Sequence, residues 1–476
     1  MSGHARGWFW PALAIVGAIT AARVALLALS QADLFVDEAQ YWLWGQELDW
    51  GYYSKPPLIA WVIRASTELG GSDAAFWVRL PAPLFHAATA LIVGGVAARL
   101  AGPRVALAVA AAWASLPMVA VGSLLISTDT IMFPFLAAAL AGHLALLSAP
   151  AGRPVVALLT GLALGAAFLA KYAAVFLLCL AAVAALHPAA RPRLRDAVLV
   201  LLGFAALAAP NLIWNATNGM ATLSHTVDNT GWRGGIAADP GALLRFLSEQ
   251  FLVFGPILFP ALVLAAAARR VPRRAGLLAF LSLPVVALIA GQALISGANA
   301  NWAASAYVAG TVLAVAWLCG RPRWVAGWFV VNGLIALALP LAATRAETLR
   351  LGDRLLLQRY VGLDDLSRDI LAVAQAEGAA AVAANERAVL ADLFYTGRKA
   401  GLPINAWPPS GAPRNHYEQR HPYLGDARGP VLAVSRGAAA PPCDPLRTGR
   451  LEPGPGAYGA TPFLWWLVPP DCWGAP

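Results

Sequence analysis

The 476-residue chain carries a formal net charge of +9, a balance that by itself suggests nucleic acid or an anionic surface as partner. Its composition excludes the first, because 59% of residues are hydrophobic and 12% charged, where soluble domains hold about 25% charged. A chain this apolar is an integral membrane protein, and no nucleic-acid partner is expected.

Apolar stretches of the length that crosses a bilayer as helix, roughly 17–25 residues, recur through the first three-quarters of the chain. They run over 8–29, 76–98, 105–125, 131–147, 154–170, 173–186, 197–213, 251–268, 277–295, 302–319 and 324–341. This predicts an α-helical polytopic membrane protein of about eleven transmembrane helices. The fifth and sixth are short and separated only by Lys171 and Tyr172. The first has an apolar run too long for a signal peptide and reads as a retained span.

Charge sets the expected orientation. With a cytoplasmic N-terminus, the inside loops hold 13 Arg, from Arg6 through Arg104, Arg153, Arg195 and Arg274 to Arg323, against one acid, Asp196. The opposite loops collect Asp33, Asp37, Glu38, Asp73, Asp129, Asp228 and other acids. Residues 1–343 read as the membrane core of a bacterial inner-membrane protein. Residues 344–476, with 14 basic and 13 acidic residues, read as a small periplasmic α/β domain. In that region Leu366, Ile370 and Val373 share one helical face and 387–395 reads as a second helix. An apolar run falls at 380–384, and extended runs fall at 404–407, 431–434 and 463–468. Cys443 and Cys472 are placed to pair if this region lies outside the cytosol.

Two external loops, about 30–73 and 214–250, are long, and long loops in compact architecture are usually functional. The first opens on adjacent acids, Asp37 and Glu38, in a setting of Tyr41, Trp42, Trp44, Trp50, Tyr52 and Tyr53. Asp37 reads as a helix N-cap with Gln40 completing a capping box. The pair of carboxylates also suits general-base chemistry on a sugar hydroxyl. Lys55 precedes Pro56-Pro57 and a helical run, where a helix N-terminus and a cation together favour phosphate. Lys171, at the outer end of the fifth span, faces a cavity or reaches the headgroups. Asp129 sits in Ser127-Thr128-Asp129-Thr130 as a helix cap or a site residue. The later loop adds His225, Asp228, Asn229, Trp232 and Arg233. No metal-ligand spacing, P-loop or dinucleotide fingerprint is present. No cofactor is therefore expected; paired acids can bind a divalent metal, but two do not require it. A transporter or lipid-linked sugar flippase is the competing reading. Against it, the candidate groups lie at the external surface and the two halves show no repeat.

The segments Phe35-Val-Asp37-Glu38-Ala-Gln-Tyr41-Trp42, Gly51-Tyr-Tyr-Ser-Lys55-Pro-Pro-Leu and Phe168-Leu-Ala-Lys171-Tyr172 resemble the bacterial family-39-type glycosyltransferases. The segments Asn211-Leu-Ile-Trp214-Asn215 and Asn301-Trp302-Ala-Ala-Ser-Ala-Tyr307 extend the likeness, which covers about 30–310. That family is similar to the protein O-mannosyltransferases and the lipid A aminoarabinose transferase. The resemblance implies a GT-C fold and a polyprenyl-phosphate-linked sugar as donor. Transfer to a glycan, lipid or protein acceptor would take place on the periplasmic face. Asp37 would be the catalytic base with Glu38 beside it and Asp129 a second acid. Lys55, Lys171 and Arg233 would stabilise the departing phosphate, giving inversion in one displacement. Tyr41, Trp50, Tyr52, Tyr53, Tyr172 and His225 would contact sugar or acceptor. Ser54 stands where some lipid A-modifying relatives carry an acid, which counts against that acceptor.

Overall fold

The computed structural model describes residues 7–148, 151–231, 238–268, 274–437, 439–459 and 461–474. In chain order the helices begin with α1 (Phe9–Ala28), α2 (Val36–Gln46), α3 (Leu58–Gly70), α4 (Ala75–Arg79), α5 (Pro81–Ala101), α6 (Pro103–Ser115) and α7 (Pro117–Gly122). There follow α8 (Thr128–Leu146), α9 (Pro154–Ala170), α10 (Val175–Ala184), α11 (Leu194–Thr217), α12 (Ala221–Asn229), α13 (Pro240–Val253) and α14 (Leu258–Ala267). The series continues with α15 (Ala275–Phe280), α16 (Leu283–Ser296), α17 (Ala306–Leu318) and α18 (Pro322–Ala343). Helices α19 (Leu363–Ala376), α20 (Arg387–Thr396) and α21 (His416–Arg420) lie in the C-terminal region.

All eleven apolar stretches carry helix. Among the described residues six helical segments are long and apolar enough to cross a membrane, or seven if α13 and α14, bent by 104°, form one broken span. Three shorter apolar helices, Pro154–Ala170, Tyr172–Ala184 and Ala306–Leu318, accompany them. The stretch at 105–125 is interrupted: Leu116 is extended, Pro117 cannot continue the ladder, and α7 starts afresh. A break of this kind leaves carbonyls of α6 without intrahelical partners. Arg23, a buried cation on α1, donates from Nη2 to one of them, Ala114 O, at 2.7 Å.

Two compact units emerge. The first comprises residues 1–28, 55–62 and 79–340; the second takes residues 29–54, 63–78 and 341–476. The second unit thus gathers most of the first external loop with the C-terminal region, which a single cut near residue 343 does not describe.

In the first unit α17 is buried along nearly its whole length, as expected of a helix apolar on every side. Helices α9 and α11 approach closely through small residues: a Cβ on Gly161 would collide with the Val200 carbonyl, and one on Gly203 with that of Leu158. Other apolar side chains, among them Leu201, Leu202, Val330 and Leu334, are exposed. In water such faces would be untenable; on a membrane protein they are the lipid surface.

The second unit contains a hairpin of β1 (Arg350–Leu351) and β2 (Arg354–Leu355). It also holds a sheet of β3 (Ala381–Ala384), β4 (Ile404–Ala406), β5 (Val431–Arg436), β6 (Arg447–Leu451) and β7 (Phe463–Val468). The strand order is β4-β3-β5-β7-β6. Strand β3 pairs parallel with β4 and β5, whereas β7 pairs antiparallel with β5 and β6. The central strands β3 and β5 are buried on both faces and read as continuous apolar runs. Strand β6, which the sequence pattern does not reveal, is an exposed edge reading Arg-Thr-Gly-Arg-Leu. Cys443 and Cys472 form a disulfide that closes the chain around β6 and β7.

Candidate active site

Helix α2 begins two residues earlier than an Asp37 N-cap would place it. Its N-cap is Phe35, in extended conformation, and Glu38 stands at the third helical position. Glu38 Oε2 accepts the Phe35 N–H at 2.9 Å, the backward half of a capping box; a phenyl ring cannot supply the forward half. The expected Asp37–Gln40 box is therefore replaced by Phe35–Glu38. Asp37 sits in the first turn, where the helix dipole favours an anion, and its side chain remains 43% exposed. Glu38 is 1% exposed.

Arg387, the first residue of α20, meets both α2 polar groups. Its Nη2 donates to Asp37 Oδ1 and its Nε to Gln40 Oε1, the latter at 2.8 Å. Among the described residues no protein group bonds Asp37 Oδ2. The carboxylate is thus oriented through one oxygen while the other remains available to take a proton. Nothing around Arg387 in the sequence links it to position 37; this contact was invisible there.

The aromatic residues of the loop take different roles. Tyr52 is buried and stacks on Trp44 with ring centroids 4.6 Å apart. Its hydroxyl donates to the Trp44 and Glu47 carbonyls at 2.8 and 3.0 Å. Burial is the main reason its phenol is pushed well above the usual range. Tyr41, also buried, lies 5.3 Å from Trp44. Both are walls of the fold. Trp50 is 46% exposed, and Tyr53 is half-buried with its hydroxyl bonded to the Pro413 carbonyl at 3.1 Å. Trp42 donates from Nε1 to Asp73 at 2.9 Å and packs edge-on against Tyr395.

The first unit gathers a second polar group. The helix cap before α8 is Ser127, whose hydroxyl accepts the Thr130 N–H, so Asp129 is not the cap. Asp129 instead receives Lys171 Nζ on both oxygens, at 2.8 and 2.7 Å, and Asn301 Nδ2 at 2.8 Å. Lys171 is neither in solvent nor stretched toward headgroups: its side chain is 18% exposed and that of Asp129 10%. The geometry follows from the interruption of the helix at Lys171, which is extended between α9 and α10. Next to it Tyr172 donates to Asn211 Oδ1 at 2.8 Å and accepts from Asn215 Nδ2 at 3.1 Å; both asparagines are fully buried.

Lys55 is half-buried, in a bend three residues ahead of α3 and directly before Pro56-Pro57. His225 lies on α12 and pairs with Asn229, one helical turn on, at 3.0 Å. Arg233 falls outside the described residues. Among the described residues no three His, Cys, Asp or Glu side chains form a metal-ligand set.

Comparison with known proteins bears on the fold and the class. The family model described as dolichyl-phosphate-mannose-protein mannosyltransferase matches residues 54–214, a stretch holding Lys55, Asp129 and Lys171. The chain is similar in structure to ArnT from Cupriavidus metallidurans bound to undecaprenyl phosphate. The TM-score is 0.64 with 16% identity, over 97% of this chain and 98% of that one. The apo form of the same protein gives a TM-score of 0.60 with 15% identity, over 91% and 93%. These likenesses establish the GT-C fold. In sequence, the chain is 43% identical over 437 residues to the lipid A galacturonosyltransferase RgtD of Rhizobium johnstonii, covering 90% of this chain and 91% of that protein. A likeness that close along nearly the whole length settles the class: this chain belongs to the GT-C glycosyltransferase family of which the Rhizobium enzyme is a member, and is a polytopic membrane glycosyltransferase.

Proposed function

We propose that this enzyme moves a galacturonosyl residue from a polyprenyl-phosphate carrier to a lipid A-type acceptor, on the outer face of the bacterial cytoplasmic membrane. The 43% identity to a lipid A galacturonosyltransferase is the observation that carries the reading, and it outweighs the departure at Ser54. The outer-face assignment rests on the 13 Arg gathered on one set of loops, which would face the cytoplasm, leaving residues 344–476 periplasmic.

Asp37 is the base in this mechanism. Its Oδ2 takes the proton of the acceptor hydroxyl as that oxygen attacks the anomeric carbon, and the bond from that carbon to the carrier phosphate breaks on the opposite face. The polyprenyl phosphate departs with the bonding pair, and the anomeric configuration inverts. Arg387 holds Asp37 in place through Oδ1. Lys55, Lys171 and Arg233 receive the negative charge of the leaving phosphate, and Asp129 keeps the Lys171 ammonium positioned. Glu38 fixes the start of the helix that presents the base.

Transfer of labelled galacturonate from polyprenyl phosphate to a lipid A precursor, in membranes carrying the enzyme, tests this. Asp37→Asn should lower the rate by about 10²–10⁴-fold, the usual contribution of a general base. Retention of transfer within threefold, at equal protein level, would remove Asp37 from the role.

A further inference from the structure

A cavity of about 240 Å³ opens in the second unit between the C-terminal half of α2, the turn that follows it, and α21. Its polar groups are Glu47, Asp49, Arg420 and the two imidazoles His416 and His421, and Leu43 and Leu48 supply apolar surface. Arg420 and Asp49 are paired at 3.6 Å on its rim, both side chains partly exposed.

Two buried polar atoms belong to residues that line this cavity and have no partner among the described residues: Trp44 Nε1 and His416 Nδ1. The residues are 1% and 7% exposed. A buried indole N–H or imidazole nitrogen left unbonded is uncommon. Tyr52, by contrast, has its hydroxyl bonded to two carbonyls and serves as rigid backing.

We propose that this cavity is a saccharide subsite that holds one uncharged sugar unit of the acceptor glycan. It rests on the reading above that the acceptor is a glycolipid. The imidazoles, carboxylates and guanidinium of the lining supply both donors and acceptors for ring hydroxyls, while leucine side chains meet the C–H face of the ring. The volume lies below the ~300–1,000 Å³ of drug-sized ligand sites, which suits a single ring.

Charge selects the class. Burial lowers the basicity of His416, to about 3, and of His421, so both rings are neutral near pH 7. Of the formally charged side chains that line the cavity two are acidic and one basic, a balance that favours a neutral ring over a phosphate or uronate. Position separates this sugar from the one being transferred. Trp44 lies seven residues beyond Asp37 on the same helix, about 10 Å along the axis and almost in the same angular phase. One extended acceptor can therefore touch both.

Saturation-transfer NMR on the purified full-length enzyme in lipid nanodiscs tests the site, with methyl glucoside, methyl galacturonoside and glucose 1-phosphate as probes. The two acidic probes, which also fit the donor site, should give signal that the subsite variants leave unchanged, and methyl glucoside should receive saturation at the subsite. Arg420→Gln, on the exposed rim, and His416→Phe, which keeps the aromatic packing, should each reduce the signal at least twofold. An equal loss of neutral-probe and acidic-probe signal in the variants would overturn the charge argument; signals unchanged in both variants would overturn the site. Should His416→Phe fail to fold, Arg420→Gln decides.

The transfer assay supplies the second arm. Both variants should raise the acceptor KM about tenfold while leaving kcat and the donor KM within twofold. A rise in donor KM instead would remove the acceptor assignment. The NMR arm needs no catalysis, so failure of the subsite and failure of the galacturonosyl reading are distinguishable.

Discussion

Arg387 grips Asp37 and Gln40 together, although it lies 350 residues from the former. Asp37 and Gln40 are three apart on α2 and so neighbours on one helical face, and a planar guanidinium spans them where a point charge would not. Arg387→Lys should keep the charge near Asp37 but lose the bond to Gln40, lowering kcat about tenfold. Arg387→Met should lower it up to about 100-fold, in line with ~1.5–3 kcal/mol for a hydrogen bond to a charged group. Steady-state transfer kinetics decide; full activity in Arg387→Lys would show that the fork is dispensable.

Asp129 and Lys171 offer a separation of structure from chemistry. Their side chains are 10% and 18% exposed, so removing one leaves the other buried without its partner. Asp129→Asn or Lys171→Met alone should destabilise the protein by about 3–5 kcal/mol. The double substitution should recover much of that loss in thermal unfolding. If Lys171 also serves the leaving phosphate, transfer stays impaired in the refolded double variant. Recovery of activity along with stability would make the pair purely structural.

A pH dependence follows from Asp33, whose Oδ2 accepts the Leu363 N–H at 2.9 Å at the start of α19. Burial, followed by the nearby charge of Asp364, raises its pKa from 3.8 to about 7, and burial raises that of Asp392 to about 6. Between about pH 4 and 7 the unfolded chain therefore holds fewer of these protons than the folded one. Stability is full below pH 4 and declines as pH rises through that window. Asp33→Asn keeps an acceptor for Leu363 and removes the ionisation. Its melting temperature should exceed that of the wild type at pH 8 and converge with it at pH 4. Equal melting at both pH values would refute the assignment.

The Cys443–Cys472 disulfide joins residues 29 apart in sequence. A closed loop of about 30 residues is worth about 3.5 kcal/mol on the chain-entropy estimate. Replacing both cysteines with serine should lower the unfolding temperature of the C-terminal region. Limited proteolysis should then cut first near β6, the exposed edge strand. Unchanged protease resistance would mean that the sheet holds without the crosslink.

Much of the scaffold was legible because long apolar runs permit little except helix, and β7 was read at its observed bounds for a related reason. Strand β6 was missed because it is an edge with almost no buried face, leaving no alternation to detect. In the site, Lys171 and Asp129 each stood out as charges beside apolar sequence, yet nothing local told that they neutralise one another. The α2 cap was misread because Asp37–Gln40 and Phe35–Glu38 share the same spacing. The choice was made by Glu38 turning back to a backbone N–H, and phenylalanine is a poor signal for a cap. Arg387, His416 and Arg420 come from a region whose sequence resembles an ordinary globular segment.

The burial of Glu38 beside the open flank of Asp37 also bears on chemical labelling. Two carboxylates adjacent in sequence should differ sharply toward a water-soluble carbodiimide. The 43% exposed Asp37 meets the reagent, while Glu38, 1% exposed and bonded to Phe35, is shielded. A single modified position in this acidic dipeptide, protected by substrate, would map the reactive carboxylate without altering one residue of the chain.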